Sequence, residues 1–422
     1  MIRQSFFVKF TTAFWAVLVF LLMASCTGEK EDSLDSKAEV ENQKVKSELW
    51  VWSDHLPVNF PEPYVPSDNP MSEQKFQLGR HLFYDLRLSG NASQSCSSCH
   101  FQHLAFTDGR AKSIGSTGDQ TARSAQSLVN VAYYASLTWA NPAMSSLERQ
   151  ATVPLFIDDI GVEMGVNDSN KGEVLARLQN DPYYVKQFAS EFSDYPEPIN
   201  FDTITKALAA FQRGLISANS KFDKVERGEA VLSDQEARGK KLFEGKGQCS
   251  QCHTGFMFSN HSFNAQSRRV KRTYHNTGLY NLNAEGAYPD HQQGLLEVMP
   301  QAQNMGKFRV PSLRNIELTA PYMHDGSVAT LPEVIANYAR HGRNIEQGQF
   351  QGDGRTNRFK DPLIDQIELS DTEQQDVVAF LLTLTDETIA TNERFSNPFP
   401  PQGQNLTLEK KATGSLPVLN ME

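Results

Sequence analysis

The sequence predicts a mainly α-helical protein made of two tandem units on one plan, with long loops wrapped around a bound group in each. Three observations predict it. The motif Cys-x-x-Cys-His occurs twice, at Cys96, Cys99 and His100 and again at Cys249, Cys252 and His253. The approach to each motif is similar. Ser72-Glu73-Gln74 leads to Gly79-Arg80-His81-Leu82-Phe83, and Ser233-Asp234-Gln235-Glu236 leads to Gly239-Lys240-Lys241-Leu242-Phe243. A whole unit that repeats reads as a duplicated module. Finally, Ile204, Ala207, Leu208, Phe211 and Leu215 recur at helical spacing on one face.

The elements follow in order. The chain has 422 residues, of which 39% are hydrophobic, enough for two or three domains with packed cores. Residues 1–25 read as an export signal. Arg3 and Lys9 give a positive start, and Phe10 to Met23 is apolar apart from Thr11 and Thr12. That run is short for a membrane-spanning helix and ends at small residues. Met23-Ala24-Ser25-Cys26 resembles a lipoprotein signal, with Cys26 as the acylated residue; plain secretion is the simpler alternative. Residues 26–67 read as a tether and an extended arm. Thr27 to Ser47 is polar and charged, as a flexible tether requires. Trp50 to Pro70 is rich in proline and aromatics. The first folded unit is expected over 68–222 and the second over 223–390, with a polar junction at Asn219 to Ser233 and a tail at 391–422. Ser72, the pair Ser233 and Glu236, and the pair Ser370 and Glu373 are helix-capping signals. Val377, Phe380 and Leu381 follow the last pair. Gly109 to Asp119 and Phe256 to Gly306 read as long connections.

There are five cysteines. Four are consumed by the two motifs and Cys26 by the signal. Cys-x-x-Cys-His reads as covalent attachment of haem c. Two thiols one turn apart reach the two vinyl groups of one porphyrin, and the next histidine faces the iron from the same side. Three other readings exist: one zinc site with four thiolates, a thioredoxin-like redox pair, and a small disulfide in each motif. All three leave both histidines unexplained. Two haems in two repeated units make two tandem cytochrome-c-like domains. The net charge of −10 argues against a nucleic-acid partner.

Further motifs carry a family resemblance from about Asn69 to Thr385. They are Leu78-Gly79-Arg80-His81-Leu82-Phe83-Tyr84-Asp85, Ala105-Phe106-Thr107-Asp108-Gly109-Arg110, Val310-Pro311-Ser312-Leu313-Arg314-Asn315 and Thr319-Ala320-Pro321-Tyr322-Met323-His324-Asp325-Gly326-Ser327. The chain resembles the bacterial dihaem cytochrome c peroxidase and MauG superfamily. Asp68-Asn69-Pro70-Met71-Ser72 and Leu137-Thr138-Trp139-Ala140-Asn141 look most like its MbnH group, whose members are linked to oxidation of tryptophan in a partner protein.

The resemblance implies unequal haems. The N-terminal haem, with His100 as axial ligand, would bind peroxide. The loop Ser113-Ile114-Gly115-Ser116-Thr117-Gly118 lacks the distal histidine of ordinary peroxidases, and His103, three residues past His100, reads as structural. The family's distal glutamate maps to Glu163 and its glutamine to Gln150, four residues before Pro154. Their spacing is a few residues longer than usual, with Asp158 and Asp159 between. Read alone, Glu163 is a surface acid. The C-terminal haem has His253 as one ligand. Fourteen residues beyond His324, where ordinary peroxidases place a methionine, stands Tyr338; MauG-like enzymes use tyrosine there. Met299, Met305 and Met323 are the rival ligands, and read alone Tyr338 is a buried helix residue. Methionine raises a haem's potential, whereas an anionic phenolate favours higher-valent iron. Trp139 maps to the inter-haem tryptophan; read alone it is core. A calcium ion between the domains would use Thr319, Pro321 and Ser124, the last in place of the usual asparagine; oxygen ligands suit calcium.

The first functional expectation is a periplasmic, lipid-anchored dihaem oxidoreductase that uses hydrogen peroxide to oxidise a partner protein through a high-valent dihaem state. A cytochrome c peroxidase fed by a small electron donor is the second, and a non-catalytic dihaem electron carrier the third.

Overall fold

One helix crossing occurs twice, and a glycine makes each one. The computed structural model describes residues 50–58, 60–156 and 162–399. The export signal, Cys26 and the pair Asp158 and Asp159 lie outside the described residues. Helix α1 (Glu73–Tyr84) starts at Ser72, whose hydroxyl accepts from the Lys75 amide at 2.9 Å. It then crosses a helix downstream. That helix is fifth in order, after α2 (Leu147–Leu155), α3 (Lys171–Gln179) and α4 (Pro182–Glu191). This is α5 (Phe201–Arg213), and Ile204, Ala207, Leu208 and Phe211 on its inner face are buried. Leu215 is buried too, but lies past the helix end at Gly214. A Cβ added to Gly79 on α1 would meet the Ala207 carbonyl oxygen at 1.9 Å and the Phe211 Cβ at 2.9 Å.

The second half repeats the arrangement. The polar junction holds a short helix, α6 (Lys221–Glu226). Helix α7 (Asp234–Glu244) follows, with the Ser233 and Glu236 capping box. Helix α8 (Leu331–Ala339) opens with a box formed by Thr330 and Glu333. Helix α9 (Asp371–Leu382) has the box of Ser370 and Glu373, and buries Val377, Phe380 and Leu381. A Cβ on Gly239 of α7 would meet the Asp376 carbonyl oxygen at 1.9 Å and the Phe380 Cβ at 2.9 Å. The aromatic contacts repeat as well. The rings of Phe83 and Phe211 are 5.0 Å apart, and those of Phe243 and Phe380 are 5.3 Å apart. Each large apolar side chain buried here stabilises by about 1.5–3 kcal/mol. That explains why both crossings are packed with phenylalanine.

Strand is minor among the described residues. β1 (Tyr274–His275) pairs antiparallel with β2 (Phe308–Arg309), Tyr274 opposite Arg309. β3 (Asn344–Ile345) pairs with β4 (Gly352–Asp353). The long connection from Phe256 to Gly306 contains only β1 and short 3-10 turns as regular structure.

Each crossing sits in its own apolar cluster. A third cluster contains Val131, Tyr133, Tyr134, Leu137 and Met257. The N-terminal arm packs onto that third cluster. The Phe60 ring meets Tyr133 at 5.7 Å and Phe256 at 5.3 Å, and the Tyr133 hydroxyl donates to the Pro61 carbonyl at 2.7 Å. The junction helix is bound by a buried ion pair. Arg314 donates to both Asp223 oxygens at 2.9 Å. Burial alone would raise the Asp223 pKa, but Arg314 and Ser220 outweigh it and hold the carboxyl below its usual value. Asn315 continues this polar seam, donating to the Ser217 hydroxyl at 3.0 Å and accepting from the Asp386 amide at 2.8 Å.

No helix among the described residues is long and apolar enough to cross a membrane.

Substituting alanine at Gly79 or Gly239 forces each crossing apart. We expect each change to cost about 1–3 kcal/mol, the usual range for overpacking. Denaturant unfolding of the holoprotein checks it. A neutral outcome at both positions would mean that the crossings yield easily.

Candidate functional site

Both cysteine motifs lie on tight 3-10 turns that directly follow a crossing helix and its loop. The first turn is Cys96–Ser98 and the second Cys249–Gln251. In each, the second cysteine donates its amide to the carbonyl of the first at 3.2 Å, so both thiols belong to one turn. All four cysteines are free. Burial pushes the Cys96 and Cys249 thiols up to about 12, and Cys99 and Cys252 up to about 11. A thioredoxin-like pair needs the opposite, a depressed thiol pKa. Among the described residues no group of three or more His, Cys, Asp or Glu side chains is placed to hold a metal ion, which removes the support for a four-thiolate zinc site.

The histidines are set alike. His100 donates from Nδ1 to the Phe106 carbonyl at 2.6 Å, and His253 from Nδ1 to the Phe258 carbonyl at 3.0 Å. Phe106 and Phe258 both hold left-handed backbone angles, with φ of 61° and 49°. That conformation is unfavourable for a bulky residue and is kept where the surroundings demand it. Here it accompanies a carbonyl aimed at Nδ1. Burial keeps both imidazoles neutral; His100 is lowered and His253 falls to about 4. A neutral ring that donates from Nδ1 leaves the Nε2 lone pair for a metal.

A cavity of about 240 Å³ adjoins the second turn. Cys249, Cys252, His253 and Tyr338 line it, with apolar walls from Phe243, Leu331 and Val377. Two free thiols, one imidazole with an available nitrogen and apolar walls fit a covalently held porphyrin. Tyr338 comes from α8, and burial raises its phenol pKa, with further contributions from Cys252 and Cys249. Among the rival ligands, Met323 also lines the cavity, Met305 packs on the second core, and Met299 is exposed.

Near the first turn, the segment with Glu163 is held from two sides. Met164 and Val166 donate their amides to the Pro154 and Leu155 carbonyls at the end of α2, the helix that carries Gln150. Ser116, in the loop without histidine, donates its amide to the Glu163 carbonyl at 2.8 Å. Burial is the main cause of the raised Cys99 pKa, and the Glu163 charge is one of the lesser ones. Gln150 and Glu163 are both half-buried. His103 is exposed and stacks on Phe101, in keeping with a structural role.

Trp139 lines the cavity, and its indole N–H donates to the Ser124 carbonyl at 3.1 Å. Ser124, Thr319 and Pro321 line the same cavity. Sequence reasoning missed three of its neighbours. Arg309 is buried against Trp139. His275 pairs with Asp361 at 2.6 Å. His324 stacks on Phe308 at 3.6 Å. Only His324 lay in a recognised motif, where it marked position and carried no role.

Residues 73–231 match the family described as di-haem cytochrome c peroxidase. A cytochrome-c peroxidase from Denitromonas iodatirespirans, IdrP1, is 34% identical over 356 residues, covering 80% of this chain and 89% of that protein.

The chain belongs to the di-haem cytochrome c peroxidase family.

The methylamine utilization protein MauG of Methylorubrum extorquens, also similar, is 32% identical over 327 residues, with 77% of this chain and 82% of that one covered. A solved structure of a MauG-like protein associated with microbial copper homeostasis is 51% identical, with a TM-score of 0.80, covering 83% of this chain and 99% of that chain. Membership makes the protein a haem oxidoreductase with two haems c, in line with its two attachment motifs.

Mass spectrometry of the denatured protein should find two haems attached. Replacing both Cys96 and Cys99, or both Cys249 and Cys252, by alanine should leave one. Two haems surviving either double substitution would break the assignment of thiols.

Proposed function

We propose that this protein uses hydrogen peroxide to oxidise a partner protein, in the manner of MauG, and is not primarily a peroxide scavenger. When bound, the haems supply a site for peroxide reduction and storage for two oxidising equivalents. The residues do the rest. His100 would hold the first haem through its free Nε2. The loop Ser113 to Gly118 contains no histidine that would close the first haem, so peroxide would have access without prior reduction. Glu163 moves a proton from one peroxide oxygen to the other, and Gln150 orients the molecule beside it. The overall balance is one peroxide, two protons and two electrons giving two waters. The electrons come from the partner, and Trp139 carries charge between the haems. Calcium held by Ser124, Thr319 and Pro321 would stiffen that region.

The observation that carries this reading is Tyr338 facing the cavity of the second turn beside Cys249, Cys252 and His253. A hard oxygen donor there favours holding oxidising equivalents over accepting electrons from a small cytochrome. The runner-up, a cytochrome c peroxidase with a small donor, is favoured by the name of the relative at 34% identity and by Met323 on the same cavity. The 51%-identical structure belongs to a protein associated with copper homeostasis, so an exported copper-handling protein is the first partner to test. We place the protein in the periplasm, held by a lipid at Cys26.

Peroxide added to the fully oxidised holoprotein should change the optical spectrum at once, with no reductant present. A requirement for reduction first would favour the runner-up. Glu163→Gln should slow peroxide consumption by about 10²–10⁴-fold, the usual contribution of a positioned acid–base group. Tyr338→Phe should alter the spectrum of the second haem alone; an unchanged spectrum would transfer the ligand role to Met323.

A further inference from the structure

Three buried nitrogens at the second cavity have no hydrogen-bond partner among the described residues. They are Arg309 Nη1, His324 Nε2 and His275 Nε2. A buried polar group left unpaired is costly, and more so if charged. Arg309 Nη1 can only donate and His324 Nε2 is able to donate, so these two point to an acceptor that belongs there. They are not equivalent. His275 already pairs with the Asp361 carboxylate through Nδ1. Arg309 has no such anion among the described residues. Its Nε donates to the Thr138 carbonyl at 3.1 Å and its Nη2 to the Gln126 amide oxygen, both neutral. Arg309 is only 4% exposed. It lies 3.8 Å from the Tyr134 ring centroid and 5.7 Å from that of Trp139. A buried charge with no counter-charge is expensive, and faces of aromatic rings offset only part of it. His324 stands on another side of the same indole, at 6.5 Å and nearly perpendicular.

A haem carries two carboxylates, and the thiols and imidazole of the second turn pair with neither. We propose that Arg309, assisted by His324, is the seat for a carboxylate of the haem held by Cys249 and Cys252, and is the positioning residue that couples this haem's charge to Trp139. The carboxylate completes the guanidinium and offsets its field at the indole, which otherwise opposes loss of an electron from Trp139. In turn the cation offsets the carboxylate's charge near the iron and so favours the reduced haem. The inference rests on the two-haem reading. Attachment is measured separately, by mass, so the two can fail separately.

The test uses holoprotein with Arg309→Gln and Arg309→Lys, and spectroelectrochemical titration of each haem. In the glutamine variant both haems should remain attached. The equilibrium constant for reducing the second haem should fall at least tenfold, which is 59 mV for a one-electron couple. The first haem should not move. Lysine keeps the charge and should hold that constant within threefold of wild type, while its different reach shifts the propionate bending band in resonance Raman spectra. A glutamine variant with both haems and an unmoved potential would overturn the proposal. So would an equal fall with lysine, which would mean that shape and not charge matters. If the glutamine variant does not accumulate, an unshifted propionate band in the lysine variant overturns it.

Discussion

The approach of one helix backbone to another at Gly79 and at Gly239 is the constraint on which both halves depend. A glycine lets α1 close on α5, and α7 on α9, to a separation that any Cβ would prevent. Phenylalanine then fills the remaining space, Phe83 on Phe211 and Phe243 on Phe380. Because each crossing is rigid, the turn that follows it is placed within narrow limits. The thiols and the imidazole must meet one rigid macrocycle, so a loose crossing would spoil all three together.

The same plan yields two different sites because different elements close them. At the first, the loop Ser113 to Gly118 is bonded to the Glu163 segment, and that segment to the end of α2. That segment carries the Glu163 carboxylate. At the second, α8 brings Tyr338, and the strand pair β1 and β2 brings His275 and Arg309. The first segment carries Glu163, and the second cavity is lined by Tyr338 and Arg309. Between them, Trp139 is tied by its N–H to Ser124 and flanked by Arg309 and His324. Its position is therefore fixed by polar contacts as well as by packing.

A buried polar seam runs beside the apolar contacts, and at Asn315 it crosses to Ser217 of the first half. Arg314 with Asp223, and Asn315 with Ser217 and Asp386, link segments far apart in sequence. Buried polar groups of this kind cost free energy unless every partner is present. They consequently favour one mutual arrangement. This gives the motif from Val310 to Asn315 a structural purpose, and the polar junction contains a short helix that Arg314 binds through Asp223.

Local chemistry was readable in the sequence wherever it is local in the chain. The two attachment motifs, the caps at Ser72, Ser233 and Ser370, the apolar face of α5 and the duplicated approach all depend on residues a few positions apart, where spacing alone dictates geometry. The resemblance added Glu163, Gln150, Trp139 and Tyr338 by position. What spacing could not supply was the company those residues keep. Nothing local shows that Phe106 and Phe258 turn left-handed beside the histidines, that Tyr338 shares a cavity with Met323, or that Arg309 is buried without an anion. Those facts depend on contacts between residues tens to hundreds of positions apart, and such contacts exist only once the helices have closed on their glycines.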